Sequence, residues 1–163
     1  MQEDTKYWIK KTKVILLIIL AAYFFIVALG NLTDYQTNYQ FVEHVLKMDT
    51  TFNSPNLMWR AINNVTAFHV FYWVIIITEI FAFLILTKGA ILLSNKNKKI
   101  SEKGKSCAIK GLLISMKIWF GYFITIGGEW FAMWQSSTWN GLSAAFRMFT
   151  ISALTLLILM SKD

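Results

Sequence analysis

Five ionisable side chains interrupt the apolar stretches of this sequence, and they are the residues best suited to chemistry. They are His69, Glu79, Lys117, Glu129 and Arg147. An ionisable side chain at the middle of a membrane helix costs about 2.5–3.5 kcal/mol on insertion scales, so each of them needs a partner or a function. Side chains of these types can form ion pairs, relay protons across a membrane, or act as acid and base in catalysis.

Three of these residues are predicted to lie at one depth near one membrane surface. At about 1.5 Å per residue, His69, Glu129 and Arg147 each lie roughly 8–10 Å from the end of their helix. We predict that Arg147 pairs with Glu129 beside His69, because a guanidinium can bond a carboxylate with two N–H groups. Its spare donors would reach Tyr72 or Gln135. This outer cluster is equally consistent with an ion pair that holds two helices in register and with a binding pocket.

The other two residues are predicted to form a deeper charge pair. By the same count, Glu79 and Lys117 lie roughly 15–18 Å further into the membrane, at a common level. An ion pair between them is therefore expected. In the alternative, the Lys117 ammonium extends toward the nearby membrane surface, and Glu79 is protonated or bonded to Tyr72.

The elements that must position these side chains are membrane helices. The composition is 56% hydrophobic and 16% aromatic with a single proline, which excludes an ordinary soluble domain. A helix of about 20 apolar residues crosses the hydrocarbon layer, and the sequence has four such runs. We predict an all-α membrane protein, a four-transmembrane-helix bundle that forms one domain over residues 1–163. Its spans cover about residues 12–32, 64–90, 110–134 and 140–160, with an outer cap at 33–63 and a cytoplasmic loop at 91–109.

The connection at 33–63 is predicted to cap the outer face with short interfacial helices. Apolar residues recur at helical spacing between Phe41 and Met48, and polar residues occupy the positions between them. Pro55 is expected near the first turn of a second short helix. The outer face is therefore predicted to be structured.

Lysines cluster in two of the non-membrane segments and set the predicted orientation. The segment before the first span holds Lys6, Lys10, Lys11 and Lys13, and residues 94–110 hold a second group. By the positive-inside rule, both termini are predicted to be cytoplasmic. Anionic lipid headgroups account for the net charge of +7 without a nucleic-acid partner, since no aromatic residues alternate with the lysines.

Tryptophans concentrate in the segment GGEWFAMWQSSTWNG, at residues 127–141. Trp130, Trp134 and Trp139 lie in this segment, and Trp59 lies in the predicted cap. An indole at a membrane interface buries its rings and keeps its N–H in a polar zone. The four side chains are therefore predicted to form an aromatic surface at the outer interface.

Catalytic and metal-binding motifs are absent from the sequence. It has no nucleophile motif, phosphate-binding loop or zinc signature, and the single cysteine, Cys107, excludes an intrachain disulfide. We expect no catalytic residue, no metal and no cofactor. A haem held by His44 and His69, or a bound quinone, is the alternative, and no cysteine or carboxylate at ligand spacing supports the haem.

Several motifs resemble the domain-of-unknown-function 2165 family of predicted small integral membrane proteins. They are MDTTF at 48–52, WRAI at 59–62, YWVIIITE at 72–79, the tryptophan-rich segment and AAFR at 144–147. The resemblance covers nearly the whole chain. It implies a four-span, multi-pass protein of the bacterial cytoplasmic (inner) membrane and leaves the biochemical role open.

Three functions of different classes agree with these residues. The favoured one is a non-enzymatic binding or accessory module, which presents a polar pocket of Arg147, Glu129 and His69 and an aromatic surface to a lipid, a quinone-like ligand or a partner membrane protein. The second is a small proton-linked carrier or channel that uses Glu79 and Lys117, against which stands the lack of an internal repeat. The third is a haem or redox subunit of a larger complex, or an enzyme with His69 and Glu129 as acid and base.

Overall fold

The computed structural model describes residues 2–161, and over that range the chain consists of helices joined by short connections. The helices are α1 (Gln2–Thr33), α2 (Tyr35–Lys47), α3 (Val65–Ser94), α4 (Lys98–Met116) and α5 (Leu142–Met160). A π-helical segment, Lys117–Trp130, continues α4 directly, and 3-10 turns lie at Met58–Arg60 and Met133–Gln135. Four stretches are long and apolar enough to cross a membrane: Glu3–Thr33, Val65–Ser94, Lys98–Trp130 and Leu142–Met160. The predicted all-α, four-span class is confirmed.

The helices at the lysine-rich end of the bundle are longer than the predicted spans. The predicted loop at 91–109 is mostly helical, because α3 continues to Ser94, α4 begins at Lys98, and only residues 95–97 connect them. The Asn97 side chain caps α4 by accepting two backbone N–H groups of its first turn, at 3.0 and 3.3 Å. Lysine is a good helix former, so lysines that mark a membrane surface do not end a helix.

Small residues allow α3 and α4 to approach closely at this end. Gly104, Ala108 and Gly111 of α4 are buried and spaced by three or four residues. A Cβ added to Gly104 would lie 2.2 Å from the backbone nitrogen of Leu93, and one added to Gly89 would lie 2.8 Å from the backbone of Ala108. Contacts of this kind, backbone against backbone, are common where membrane helices pack.

All four spans contribute to the core of the bundle. Its fully buried side chains include Leu17, Phe24, Leu86, Leu112, Ile118 and Leu159. Within this core, the hydroxyls of Ser115 and Ser152 are hydrogen-bonded at 2.6 Å, which links α4 to α5. The polar contact is buried and satisfied, as polar groups in a membrane span must be.

The third span changes from α-helical to π-helical at Lys117. A π-helix forms hydrogen bonds between residues five apart instead of four, so each turn holds more residues. The spacing of the threonine hydrogen bonds differs accordingly. The Thr125 hydroxyl donates to the carbonyl of Phe120, five residues back, at 2.8 Å. In α3 and α5, Thr78 and Thr150 donate to carbonyls four residues back. Most π-helices are single turns, which are frequent at functional sites, so the 14-residue length here is unusual.

Helix α2 packs across the half of α3 that lies away from the lysines, and we call this end of the bundle the capped end. The contact buries Tyr39, Val42 and Leu46 of α2 against Phe68, Tyr72 and Ile76 of α3. The Lys47 ammonium donates to Glu43 and lies 5.6 Å from the Phe68 ring centroid. The hydrogen bond to Glu43 holds the pKa of Lys47 above its usual range. The location of α2 at the membrane interface stays a prediction.

Candidate functional site

Glu79 is buried near the middle of α3, with 2% of its surface exposed. The side-chain amide of Asn31 in α1 donates to its Oε2 at 2.7 Å. The hydroxyl of Tyr72 donates to the backbone carbonyl of Asn31 at 3.1 Å. These three residues form a polar site inside the bundle, which we call the Glu79 cluster.

The predicted ion pair between Glu79 and Lys117 is not formed among residues 2–161. The Lys117 side chain is exposed, and its ammonium lies 5.6 Å from the ring centroid of Tyr122. The amide of Asn31 occupies the place predicted for the ammonium. A neutral partner avoids the desolvation of a second charge, which in a buried ion pair can exceed the attraction between the charges. The alternative bond from Glu79 to Tyr72 is replaced by the bond from Tyr72 to Asn31.

The predicted pair of Arg147 and Glu129 is not formed either. Both side chains are exposed, and within the described range no hydrogen bond or salt bridge joins them. The elements that carry them do touch, since a Cβ added to Gly128 would lie 2.8 Å from Leu142 of α5. The prediction placed Glu129 by assuming 3.6 residues per turn. The π-helical segment holds more residues per turn, so the side chains along it point in other directions than the prediction assumed.

The remaining members of the predicted outer cluster have separate partners at the capped end. His69 Nδ1 is hydrogen-bonded to the hydroxyl of Tyr35 at 2.8 Å, and the His69 ring stacks on Tyr39 with centroids 4.5 Å apart. Gln135 Oε1 accepts the backbone N–H of Phe52 at 2.9 Å. The residues predicted as one cluster are therefore distributed over several contacts.

The two histidines considered as haem ligands each belong to an aromatic stack. His44 Nδ1 bonds to Asp49 at 2.8 Å, and its ring lies parallel to Trp139 with centroids 4.6 Å apart. His69 is held by Tyr35 and stacks on Tyr39. Within the described residues, no group of three or more His, Cys, Asp and Glu is arranged to hold a metal ion. Each histidine therefore has a hydrogen-bond partner at Nδ1 and an aromatic ring beside it.

The tryptophans of the predicted aromatic surface all lie at the capped end. Trp59 and Trp130 meet edge to face at 5.6 Å, and the Arg60 guanidinium lies 4.8 Å from the Trp130 ring centroid. Trp134 packs edge to face on Phe52 at 5.9 Å. The exposed fractions of Trp59, Trp130 and Trp134 are 69%, 47% and 50%. Half-exposed indoles at one end of the bundle are typical of a membrane interface.

Ser136, which the sequence did not single out, joins two connections of the capped end. Its buried hydroxyl is hydrogen-bonded to the hydroxyl of Thr50 at 2.8 Å and accepts the backbone N–H of Trp139 at 2.8 Å. The bond to Thr50 links residues that are 86 positions apart, which no local pattern reveals. Through it, the segments 48–52 and 131–141 form one surface.

An apolar groove of about 240 Å³ lies between α2, α3 and the π-helical segment, and we call it the α2 groove. Its lining includes Phe41 and Val45 of α2, Val70 and Val74 of α3, and Ile126 and Phe131 of the third span and the turn after it. Val70 and Val74 are 55% and 44% exposed, so the groove opens on the side of the bundle. A side opening in a membrane protein faces lipid.

Comparisons with known proteins identify the family. A model of the DUF2165 family, described as predicted small integral membrane proteins, matches residues 9–162. Comparison with curated proteins and comparison with solved structures give no match. The matched range includes Val65–Ser94, Lys98–Trp130 and Leu142–Met160 and most of the first candidate span. The chain therefore belongs to the DUF2165 family of predicted small integral membrane proteins.

Proposed function

We propose that this protein is a non-enzymatic binding module that holds one hydrocarbon chain of a membrane lipid in the α2 groove. The observation that carries the proposal is the groove itself, an apolar cavity of about 240 Å³ that opens sideways on the bundle. Pockets that enclose a whole drug-sized ligand measure about 300–1,000 Å³, so this one suits a chain segment. The acyl chain of a phospholipid and the prenyl chain of a quinone share this chemistry.

The walls of the groove support the proposal in two ways. A chain that enters past Val70 and Val74 never leaves the hydrocarbon layer, so binding depends on fit rather than on transfer from water. The π-helical segment supplies one wall, through residues that include Ile126 and Gly127. Single π-helical turns are frequent at functional sites, and here the departure from α-helical geometry extends over 14 residues and forms this wall.

A cation lies beside the capped end of the groove and is suited to the lipid headgroup. Arg60 Nη1 donates to the carbonyl of Trp130 at 3.3 Å, and the next residue, Phe131, lines the groove. The guanidinium carbon also lies 5.5 Å from the ring centroid of Trp59 and 4.8 Å from that of Trp130. A planar guanidinium bonds phosphate or carbonyl oxygens through parallel N–H groups. We assign the headgroup to this arginine.

Charge and the number of spans support a location in the bacterial cytoplasmic membrane with both termini in the cytoplasm. With four spans both termini lie on the same side of the membrane, and the positive-inside rule favours the cytoplasm for the side that carries the lysines. The capped end, with its exposed tryptophans, then faces outward. There it would contact a partner membrane protein above the bound lipid.

A tryptophan introduced into the groove tests the proposal. Val74→Trp fills the space between α2 and α3, and Ile77→Trp is the matched control, since Ile77 is 47% exposed on the same helix and is not a lining residue. The protein is purified in a mild detergent, its bound lipid is counted by native mass spectrometry, and the extract is analysed for fatty acids and for quinones.

The wild-type protein and Ile77→Trp should each retain one lipid molecule per protein molecule, and Val74→Trp should lose it. The extract decides between the phospholipid and the quinone. Equal retention by Val74→Trp and Ile77→Trp would refute the assignment of the groove.

A proton-linked carrier is the second candidate, and the Glu79 cluster favours it. A carboxyl group that is 2% exposed within a membrane span is a natural proton-binding group. Trp119, whose ring centroid lies 6.2 Å from that of Tyr23, adds a second polar group inside the bundle, a buried indole N–H with no hydrogen-bond partner among the described residues. A pH jump across vesicles that contain the protein tests this function. Equal proton fluxes for wild type and Glu79→Gln would exclude it.

A further inference from the structure

Two opposite charges of the spans remain without a partner within the described chain. Arg147 of α5 and Glu129 of the π-helical segment are both exposed, and neither forms a hydrogen bond or salt bridge with another described residue. Both lie near the capped ends of membrane-spanning elements. An ionised side chain that faces lipid is unfavourable unless it is paired, so the surface that carries these charges calls for a complementary one.

The two charges flank α5 on opposite sides. The third span meets α5 at Leu142, which contacts Gly128, and at Phe149, whose ring lies 5.2 Å from Phe120. Glu129 comes nine residues after Phe120, about two turns of a π-helix, so it lies on the same side of the third span as Phe120 and at this flank of α5. Arg147 is about 140–160° around the helix axis from Leu142 and Phe149, at about 100° per residue.

The other flank of α5 faces α1. Helices α1 and α5 contact each other, and Arg147 lies on this side of α5 because it points away from the contact with the third span. Between the flanks, α5 presents an apolar strip to the outside, formed by Phe146, Leu154 and Leu157 with exposed fractions of 63%, 54% and 65%. The surface therefore consists of one negative charge, an apolar helix face and one positive charge, in that order.

We propose that this surface binds a second copy of the same chain. Two copies in one membrane share an orientation, so a twofold axis along the membrane normal relates them. That rotation puts α5 against α5 and exchanges the flanks, which brings Glu129 of each copy beside Arg147 of the other. A twofold contact requires this reciprocity, in which residue i meets j and j meets i. The interface lies beyond the α2 groove and does not depend on lipid binding there.

Charge complementarity selects the second copy over other occupants. The surface carries one negative and one positive charge, separated by the width of a helix. It is therefore complementary to a second copy of itself rotated by 180°. A lipid phosphate would pair with Arg147 alone and would leave Glu129 facing hydrocarbon. Self-association satisfies both charges with the residues already on the surface.

The test uses two variants, each of which should not form a dimer alone but which should form a heterodimer with each other. Arg147→Glu puts two carboxylates on the surface of each copy, and Glu129→Arg puts two guanidinium groups there. Each variant should lose the dimer that the wild-type protein forms in lipid nanodiscs, as counted by native mass spectrometry. When the two variants are co-expressed with different affinity tags, they should form a heterodimer, because both cross-contacts are again between opposite charges.

Cysteine cross-linking in native membranes covers the case in which a charge variant does not accumulate. In a Cys107→Ser background, Leu154→Cys should form an intermolecular cross-link, and Leu84→Cys, which is 52% exposed on α3, should not. A monomeric wild-type protein, a pair of charge variants that stays monomeric although both fold, or equal cross-linking at the two cysteine positions would overturn the proposal.

Discussion

Replacing Gly104 with alanine tests whether the close contact of α3 and α4 holds the bundle together. The new Cβ would lie 2.2 Å from the Leu93 backbone nitrogen and 2.6 Å from the Leu92 carbonyl carbon. No side-chain rotation relieves a clash with backbone atoms, so the two helices must separate. Overpacking of a core costs about 1–3 kcal/mol, and a backbone clash belongs at the upper end, about 3 kcal/mol. The better helix propensity of alanine offsets roughly 1 kcal/mol, which leaves a loss of about 2 kcal/mol.

Gly30→Ala is the matched control for this change. Gly30 lies in α1, and an added Cβ meets nothing within 4 Å, so the helix-propensity gain of about 0.5–1 kcal/mol is unopposed. The same chemical change should therefore differ by about 3 kcal/mol between the two positions. In a protein of this size, 1 kcal/mol corresponds to roughly 2–4 °C of melting temperature, which gives a difference of roughly 6–12 °C.

The melting temperatures are compared in one detergent, by heating each variant and measuring the remaining monodisperse fraction by fluorescence-detected size exclusion. Gly89→Ala should resemble Gly104→Ala, because its Cβ would lie 2.8 Å from the Ala108 backbone. A Gly104→Ala protein as stable as Gly30→Ala would refute the close approach of α3 and α4.

Two further predictions concern the Glu79 cluster and the capped end. Asn31→Leu removes the amide that donates to Glu79, and it should destabilise the fold by about 1–3 kcal/mol. The same change should cost less in a Glu79→Leu background, where no carboxyl group is left without its donor. Equal losses of stability in the two backgrounds would show that the residues are not coupled. Ser136→Ala leaves two backbone N–H groups and a hydroxyl without their partner, so acrylamide should quench the tryptophans more strongly than in the wild type. Ser137→Ala, at an exposed neighbour, is the control, and equal quenching of the two variants would contradict the role of Ser136.

The number and class of the spans follow from the sequence because the thickness of the hydrocarbon layer fixes the length of apolar helix that it needs. At the lysine-rich end, the loop predicted at 91–109 is mostly helical in the structure, for a reason that is visible in the residues. The lysines at 94–110 favour a loop when only their charge is considered. Gly104, Ala108 and Gly111 are spaced like a packing face of a membrane helix, and this spacing could have extended α4 back to Lys98.

The charge pairs could not be predicted, because each depended on something that local patterns do not contain. The pair of Glu79 and Lys117 failed because Asn31, at the end of the first apolar run, supplies a neutral donor from another helix. The pair of Glu129 and Arg147 failed because the third span changes its hydrogen-bonding period at Lys117. Nothing in the apolar run KIWFGYFITIGGEW distinguishes a π-helix from an α-helix by hydrophobicity alone.

Within the described bundle, the stability of the fold does not depend on pairs of opposite charges between its spans. Glu79 is satisfied by an amide, Lys117 lies over an aromatic ring, and the closest helix contacts are made by glycines. Reversing the charge of Arg147 or Glu129 should then leave the melting temperature of the monomer close to that of the wild type, while it abolishes the dimer. Gly104→Ala should instead lower the melting temperature and leave the dimer in place at a fixed subunit concentration, because it separates helices within one copy. If the charge reversals instead unfold the monomer, the two side chains pair within one chain, and the exposed positions assigned to them are wrong.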